Sequence, residues 1–311
     1  MFVIHGHWLL PSRPRDGGRF ILWAETSDEK LKKPRGRPRI PTHAFALSPE
    51  RLTETLETLV PRPRTSSIPF TVILPALKSL PLPSPRLAHD WGEFRDASPT
   101  GLRRFKLEGL SLEPAGALHL LNKLPAPSDL PPRLALGDDL LFWVTAARFA
   151  LEMLAAQRYL PSIERVGTQT FQARWRPIFD RSDDAARLSR LLRAMPPAAR
   201  ACLPIELTGP LVDPAPAHRL LEDFLTTMID AAVREWHGPH WSRLPGDDGA
   251  AARPDALLAA DPAIAGPYFS LSALTRAHKT WVRQLQAAGD ANFRATLRLG
   301  GPDRPQEPWP P

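Results

Sequence analysis

The chain has 311 residues, 43% of them hydrophobic, with nine Trp and thirteen Phe, enough to build a real core in one large domain or two ordinary ones and too apolar for a disordered chain. A formal charge of +7 favours a polyanionic partner, although arginine so far outnumbers lysine that genomic base composition can produce the same excess. A single cysteine, Cys202, excludes an intramolecular disulfide and any cysteine-based zinc cluster, and suits a reducing compartment.

The opening MFVIHGHWLLPSR has no basic leader and no long apolar run, and no later run reaches transmembrane length, so a soluble, cytoplasmic protein is expected. Phe2-Val3-Ile4 and Trp8-Leu9-Leu10, a turn at Asp16-Gly17-Gly18 and the run from Arg19 to Ala24 predict a β-hairpin. Ser48-Pro49-Glu50 opens a helix reaching Leu59, and Thr71 to Leu74 reads as a strand. The proline-punctuated stretch Leu80 to Pro85 then closes a β-containing lobe placed at 1–86. Arg103 to Leu110 follows as a strand and Glu113 to Leu121 as a short helix. Gly137-Asp138-Asp139 is expected to cap the longest helix, from Leu140 to Tyr159, which is apolar on nearly every face and therefore buried.

Thr168 to Trp175 alternates like a strand. Helices are expected from Asp183 to Leu192, Ala198 to Cys202, Pro216 to Trp236 and Leu271 to Ala287, with a last strand from Phe293 to Leu299. The fold class is α+β: a β-rich lobe with a hairpin, a larger and mostly helical part at 87–299, and a proline-rich tail at 300–311.

No lysine follows a glycine, so the Walker phosphate loop is missing, and the Gly-x-Ser-x-Gly and His-Glu-x-x-His signatures are missing too. His5-Gly6-His7 puts two imidazoles on one face of a strand, a possible start of a metal site, but nothing in the spacing recruits further ligands from His43, His89 or Asp90. The plainer expectation is two polar residues on the exposed face of the hairpin. The acidic pairs Asp138-Asp139 and Asp183-Asp184 read as helix caps and dipole partners, and Asp247-Asp248 lies in a glycine-bounded loop. His237 and His240 flank a Gly-Pro turn between tryptophans, and Cys202 reads as a small core residue. These assignments leave no catalytic residue and call for no cofactor.

The most pointed stretch is LKKPRGRPRI at 31–40. Its prolines hold the backbone extended, and Gly36 lets the chain press against a groove floor while Arg35 and Arg37 run along it. A narrow A·T minor groove rewards inserted arginines most, and Lys32, Lys33 and Arg39 would add phosphate contacts. Arg103 and Arg104 are weaker DNA-contact candidates. The stretch resembles the AT-hook; a solvated basic loop is the alternative.

Separated strings occur in a telling order: His5-Gly6-His7-Trp8, Phe20 to Glu25, His43-Ala44-Phe45-Ala46, Pro81 to Pro85, Leu107 to Leu112, Gly137 to Leu140, Gln157 to Pro161, Ala173 to Pro177 and Met195-Pro196-Pro197. Together they are similar to the region preceding the motor in bacterial Swi/Snf-type, superfamily-two helicase-like ATPases. In that family the opening reads His-Gly-Thr-Trp, so His7 stands where a threonine is expected. The resemblance implies a DNA-binding accessory region of an ATP-dependent translocase. Its partners would be duplex DNA, A·T-rich if the hook is real, and a Swi/Snf-type ATPase motor in cis or trans, with no membrane and a nucleoid-associated location. It carries over no catalytic residue. The alternatives are a protein-interaction scaffold with an incidental basic loop and a metal-dependent enzyme using His5 and His7.

Overall fold

The computed structural model describes residues 1–11, 17–28, 39–60, 64–88, 94, 96–165, 170–179, 181–208, 213–237 and 268–270. The chain divides into two compact units, one of 1–12, 17–158 and 179–228, the other of 13–16, 159–178 and 229–311.

In the first unit, β1 (Phe2–Leu9) and β2 (Arg19–Thr26) form the expected antiparallel hairpin, with Ile4 opposite Ala24 and His5 opposite Trp23. Strand alternation sends Ile4, Trp8, Phe20 and Leu22 to one face and Val3, His5, His7, Ile21, Trp23 and Glu25 to the other. Both sets are buried. A hairpin covered on both faces belongs in the middle of a sheet. The observed order is β4-β3-β5-β2-β1-β6, with β3 Ser66–Leu77, β4 Leu80–Pro81, β5 Gly101–Leu112 and β6 Leu134–Leu136. All neighbours are antiparallel except β6, which runs parallel to β1.

β3 is longer than the Thr71-to-Leu74 run expected, and it accommodates Pro69 and Pro75 because its far edge meets β4 only at Ala76 and Leu77. β5 pairs with β3 from Ser111 down to Gly101, so strands from both sides of residue 86 share one sheet.

The described helices are α1 (Pro49–Leu59), α2 (Pro85–Ala88), α3 (Pro114–Lys123), α4 (Asp138–Ala155), α5 (Ser182–Ala194), α6 (Ile205–Thr208) and α7 (Ala215–His237). The fold is α+β. The helix expected to reach Tyr159 ends at Ala155: Gln157 adopts a left-handed φ of 53°, and Tyr159 already belongs to a strand. Residues 198–202, expected as a helix, form a short 3-10 turn over Pro197–Arg200. On the outer face of the hairpin, Phe224 of α7 packs 5.3 Å edge-on against Trp8 and 4.7 Å from Trp143 of α4. The Trp8 indole N–H donates to Asp223 at 2.8 Å, which satisfies its polar end.

The second unit contains β7 (Tyr159–Arg165), β8 (Thr170–Pro177) and β9 (Tyr268–Ser270) in an antiparallel sheet. Trp175 packs edge-on against Tyr159, and its backbone N–H donates to Asp230 at 2.9 Å. The helix expected from Leu271 to Ala287, the strand from Phe293 to Leu299 and the tail at 300–311 lie outside the described residues. Among the described residues no helix is long and apolar enough to cross a membrane.

Phe224→Ala removes the ring shared by Trp8, Phe20 and Trp143, so urea unfolding should show a loss of about 3–5 kcal/mol. Arg190→Ala, on the exposed side of α5, should stay within about 0.5 kcal/mol of the parent.

Candidate functional site

His5 and His7, expected on an exposed hairpin face, are 7% and 1% exposed. The apolar side chains of β2, β3 and β5 on that face, including Ile21, Phe70, Val72 and Phe105, form one cluster closed by Ala201, and this covers the strand. His5 stacks on Trp23 with ring centroids 4.5 Å apart.

β6 decides what His5 meets. Because it runs parallel to β1, its exit places Gly137 beside Ile4, where the Gly137 N–H donates to the Ile4 carbonyl at 2.7 Å. The first turn of α4 therefore starts against His5. Asp139, expected as a helix cap and dipole partner, is fully buried and turned toward β1. One of its oxygens lies 2.9 Å from His5 Nδ1, and the other accepts the Gly6 N–H at 3.0 Å. Only glycine fits at 137: a Cβ there would lie 2.3 Å from the Asp139 carboxylate and 2.6 Å from His5 Nδ1.

On the other side of His5, Glu25 projects from the end of β2. Its Oε2 accepts the Ser84 N–H at 2.9 Å and stands 3.9 Å from His5 Nε2. His43 Nε2 is 3.7 Å from Glu25 Oε1. His43 arrives on an extended segment after the basic run, fixed to β5 by the His43 N–H donating to the Lys106 carbonyl at 3.0 Å and the Lys106 N–H donating to the Pro41 carbonyl at 2.8 Å. Five of the separated strings in the sequence thus meet here, contributing His5 and His7, Trp23 and Glu25, His43, Ser84, and Gly137 and Asp139.

Hydrogen bonding assigns the protons. The indole of Trp23 can only donate, so His7 Nε2, 2.8 Å away, accepts, and a neutral His7 carries its proton on Nδ1. His43 Nδ1 accepts the Phe45 N–H at 3.3 Å, so a neutral His43 carries its proton on Nε2, toward Glu25. Burial drives both rings to the neutral form, with pKa values near 4, and the charge on His5 adds to that. Burial also opposes charge on His5, but the charge and hydrogen bond of Asp139, with Glu25 behind it, prevail and raise its pKa to about 10. Burial pushes the two carboxylates upward, and His5 outweighs it, so both stay below the usual carboxylate range. The centre is an imidazolium held between two carboxylates and flanked by two neutral imidazoles.

These protonation states restrict the chemistry. Metal binding through imidazole needs a nitrogen lone pair: His7 Nε2 is occupied by Trp23, His43 Nε2 carries the proton that the Phe45 contact leaves there, and His5 Nε2 would have to give up its proton. Among the described residues no group of three or more His, Cys, Asp or Glu side chains is arranged to hold a metal ion. Ser84, His5 and Asp139 have the residue types of a hydrolase relay, but a His5 imidazolium has no lone pair to take the serine proton at neutral pH. Cys202 packs against the same core; burial, with the charge of Asp139 behind it, pushes its thiol up to about 12, so it holds no thiolate.

Lys32, Lys33, Arg35, Gly36 and Arg37 lie outside the described residues; Arg39 is described and exposed. Arg103 and Arg104 are exposed on β5. Asp184, expected as a cap, is buried and paired with Arg158, while Asp183 is exposed. His237 ends α7, and His89, Asp90, His240, Asp247 and Asp248 lie outside the described residues. Compared with known proteins, the chain matches no family model, no curated protein and no solved structure.

The proton assignments make stability depend on pH from both sides. His7 and His43 bind protons more weakly folded than unfolded, so stability falls as pH drops from 6.5 toward 4; His5 binds more strongly folded, so stability falls as pH rises from 6.5 toward 10. Urea unfolding across this range should give a maximum near pH 6.5, with each histidine contributing up to about 1.4 kcal/mol per pH unit. A flat profile between pH 5 and 9 would contradict the assignments. Gly137→Ala should separate Asp139 from His5, and imidazole nitrogen NMR should then find His5 titrating well below its parent value.

Proposed function

We propose that this chain is a DNA-binding accessory module, with the basic run at 31–40 as its groove contact and the adjoining sheet as its phosphate contact. One observation carries the reading. The segment that follows the basic run is hydrogen-bonded to β5 at Lys106, so the run is rooted directly beside that strand. Lys106 and Arg104, two apart on β5, project from one face, and both are exposed. Arg39, exposed two residues before the first of these hydrogen bonds, extends the same positive charge. The amino-terminal root is fixed as well: the Ser27 N–H donates to the Met1 carbonyl at 3.1 Å, and Arg133 pairs with Asp28 at 2.6 Å. A short basic segment held at both ends loses less entropy on entering a groove than a free tail would.

The resemblance to the region preceding a Swi/Snf-type motor supports the same reading and adds an expected partner, an ATPase that moves on duplex DNA. In that arrangement this module would hold DNA while the chemistry belongs to the motor.

Binding to an A·T-rich duplex, measured across salt concentrations, tests the proposal. The affinity should fall linearly on a logarithmic salt axis, and Arg35→Ala with Arg37→Ala should weaken binding at least tenfold and erase preference over a G·C-rich duplex. Arg104→Ala with Lys106→Ala should reduce the salt slope by about 0.9 for each phosphate no longer neutralised, while leaving that preference intact. Parent-like binding by the Arg35/Arg37 double variant would sink the reading.

A further inference from the structure

Above the histidine cluster lies a pocket of about 400 Å³, within the range that holds small-molecule ligands. Its walls are apolar, from Trp23, Leu74, Leu82 and Phe94, and its floor is polar, from His5 and Glu25. Three buried atoms around Glu25 have no hydrogen-bond partner among the described residues: His5 Nε2, His43 Nε2 and Ser84 Oγ. Of these residues, His5 is 7% exposed and His43 fully buried, and His5 and Ser84 line the pocket. Glu25 itself, 2% exposed, accepts one hydrogen bond within normal distance, from Ser84, where a carboxylate has room for about four. Leaving such buried groups unpaired is costly, so the arrangement calls for an occupant with polar atoms of its own.

The donor and acceptor pattern defines that occupant. His5 offers a proton on Nε2, Glu25 offers unfilled oxygen lone pairs, and the 3.9 Å between them is too long for a direct bond. An anion would face a floor in which two carboxylates outweigh one imidazolium. A simple cation would satisfy Glu25 but leave the His5 proton facing positive charge. Among the described residues, the exposed rim carries Arg86 and Asp138, whose charges oppose each other. A neutral group with a carbonyl beside an N–H satisfies both partners together.

We propose that this pocket binds a small neutral molecule through a planar amide edge, its carbonyl accepting from His5 Nε2 and its N–H donating to Glu25, as a lactam nucleobase or a carboxamide would. Ser84 Oγ can serve either atom, and the apolar walls take the rest of the molecule. The site lies on the inner face of the sheet and does not depend on the DNA reading.

Calorimetric titration of the full chain with uridine, guanosine and nicotinamide tests this, alongside 3-methyluridine, 1-methylguanosine and N,N-dimethylnicotinamide, which keep the carbonyl but lack the N–H. At least one parent compound should bind, and at least tenfold more tightly than its methylated partner. Tighter binding of a nucleoside identifies a nucleobase site, and tighter binding of nicotinamide a carboxamide site. Glu25→Gln should weaken the bound compound at least tenfold, and Arg35→Ala with Arg37→Ala should leave its affinity unchanged. Absence of binding by all three parents at millimolar concentration, meaning a pocket filled by water alone, overturns the proposal; so does equal binding of the methylated forms. The methylated compounds decide the matter on the unaltered protein even if Glu25→Gln fails to fold.

Discussion

The His5 imidazolium joins parts of the chain that are 134 residues apart, through one hydrogen bond to Asp139. Much of the local architecture is a condition for that contact. β6 has to run parallel to β1 so that α4 begins beside His5, and position 137 has to lack a Cβ for the two side chains to touch. The inner face of the hairpin has to be covered, or solvent would screen the pair. A buried ion pair is a weak source of net stability, because desolvation offsets most of its attraction, whereas loss of one partner strands a charge at a cost of several kcal/mol. The pair is better understood as fixing where α4 starts and which rings carry protons.

Local pattern makes much of this fold legible. The hairpin shows itself through alternation and a Gly-Gly turn, and α1, α3, α5 and α7 through their caps and periodicity. β7 escapes such a reading because Pro161 interrupts it and the apolar pattern of α4 runs on to Tyr159, its first residue. α4 reads too long from its apolar pattern because Gln157 carries no sign that it will turn left-handed. The site is illegible for a related reason. Polar residues alternating with apolar ones on a strand normally mark a solvated face, and His5 and His7 have that pattern. What signals otherwise is the company they keep: Val3 and Trp23 on the same face are too apolar for a solvent side, and Asp139 sits in a first turn that Gly137 already opens. The pairing of His5 with Asp139 and Glu25 is tertiary, and residue type at each position alone does not reveal it.

The basic run and the pocket share a neighbour. The segment that returns from the run delivers His43 to Glu25 and pairs with β5 beside Lys106, so an exposed positive strand face and a buried polar floor are built from the same few residues. The two remain chemically distinct. The strand face carries the exposed side chains of Arg104 and Lys106, whereas the pocket floor sets two carboxylates against one imidazolium.

That shared segment also defines a load path. A pull on the chain at Arg39 would reach Pro41 and His43 first, where two backbone hydrogen bonds clamp the chain to Lys106. Phe45 and Leu47, bonded to Thr26 and Ala24 of β2, form a second clamp behind them. His43 sits between the two clamps, so slippage at the first would move its ring relative to Glu25 and carry a displacement at the surface into the polar centre.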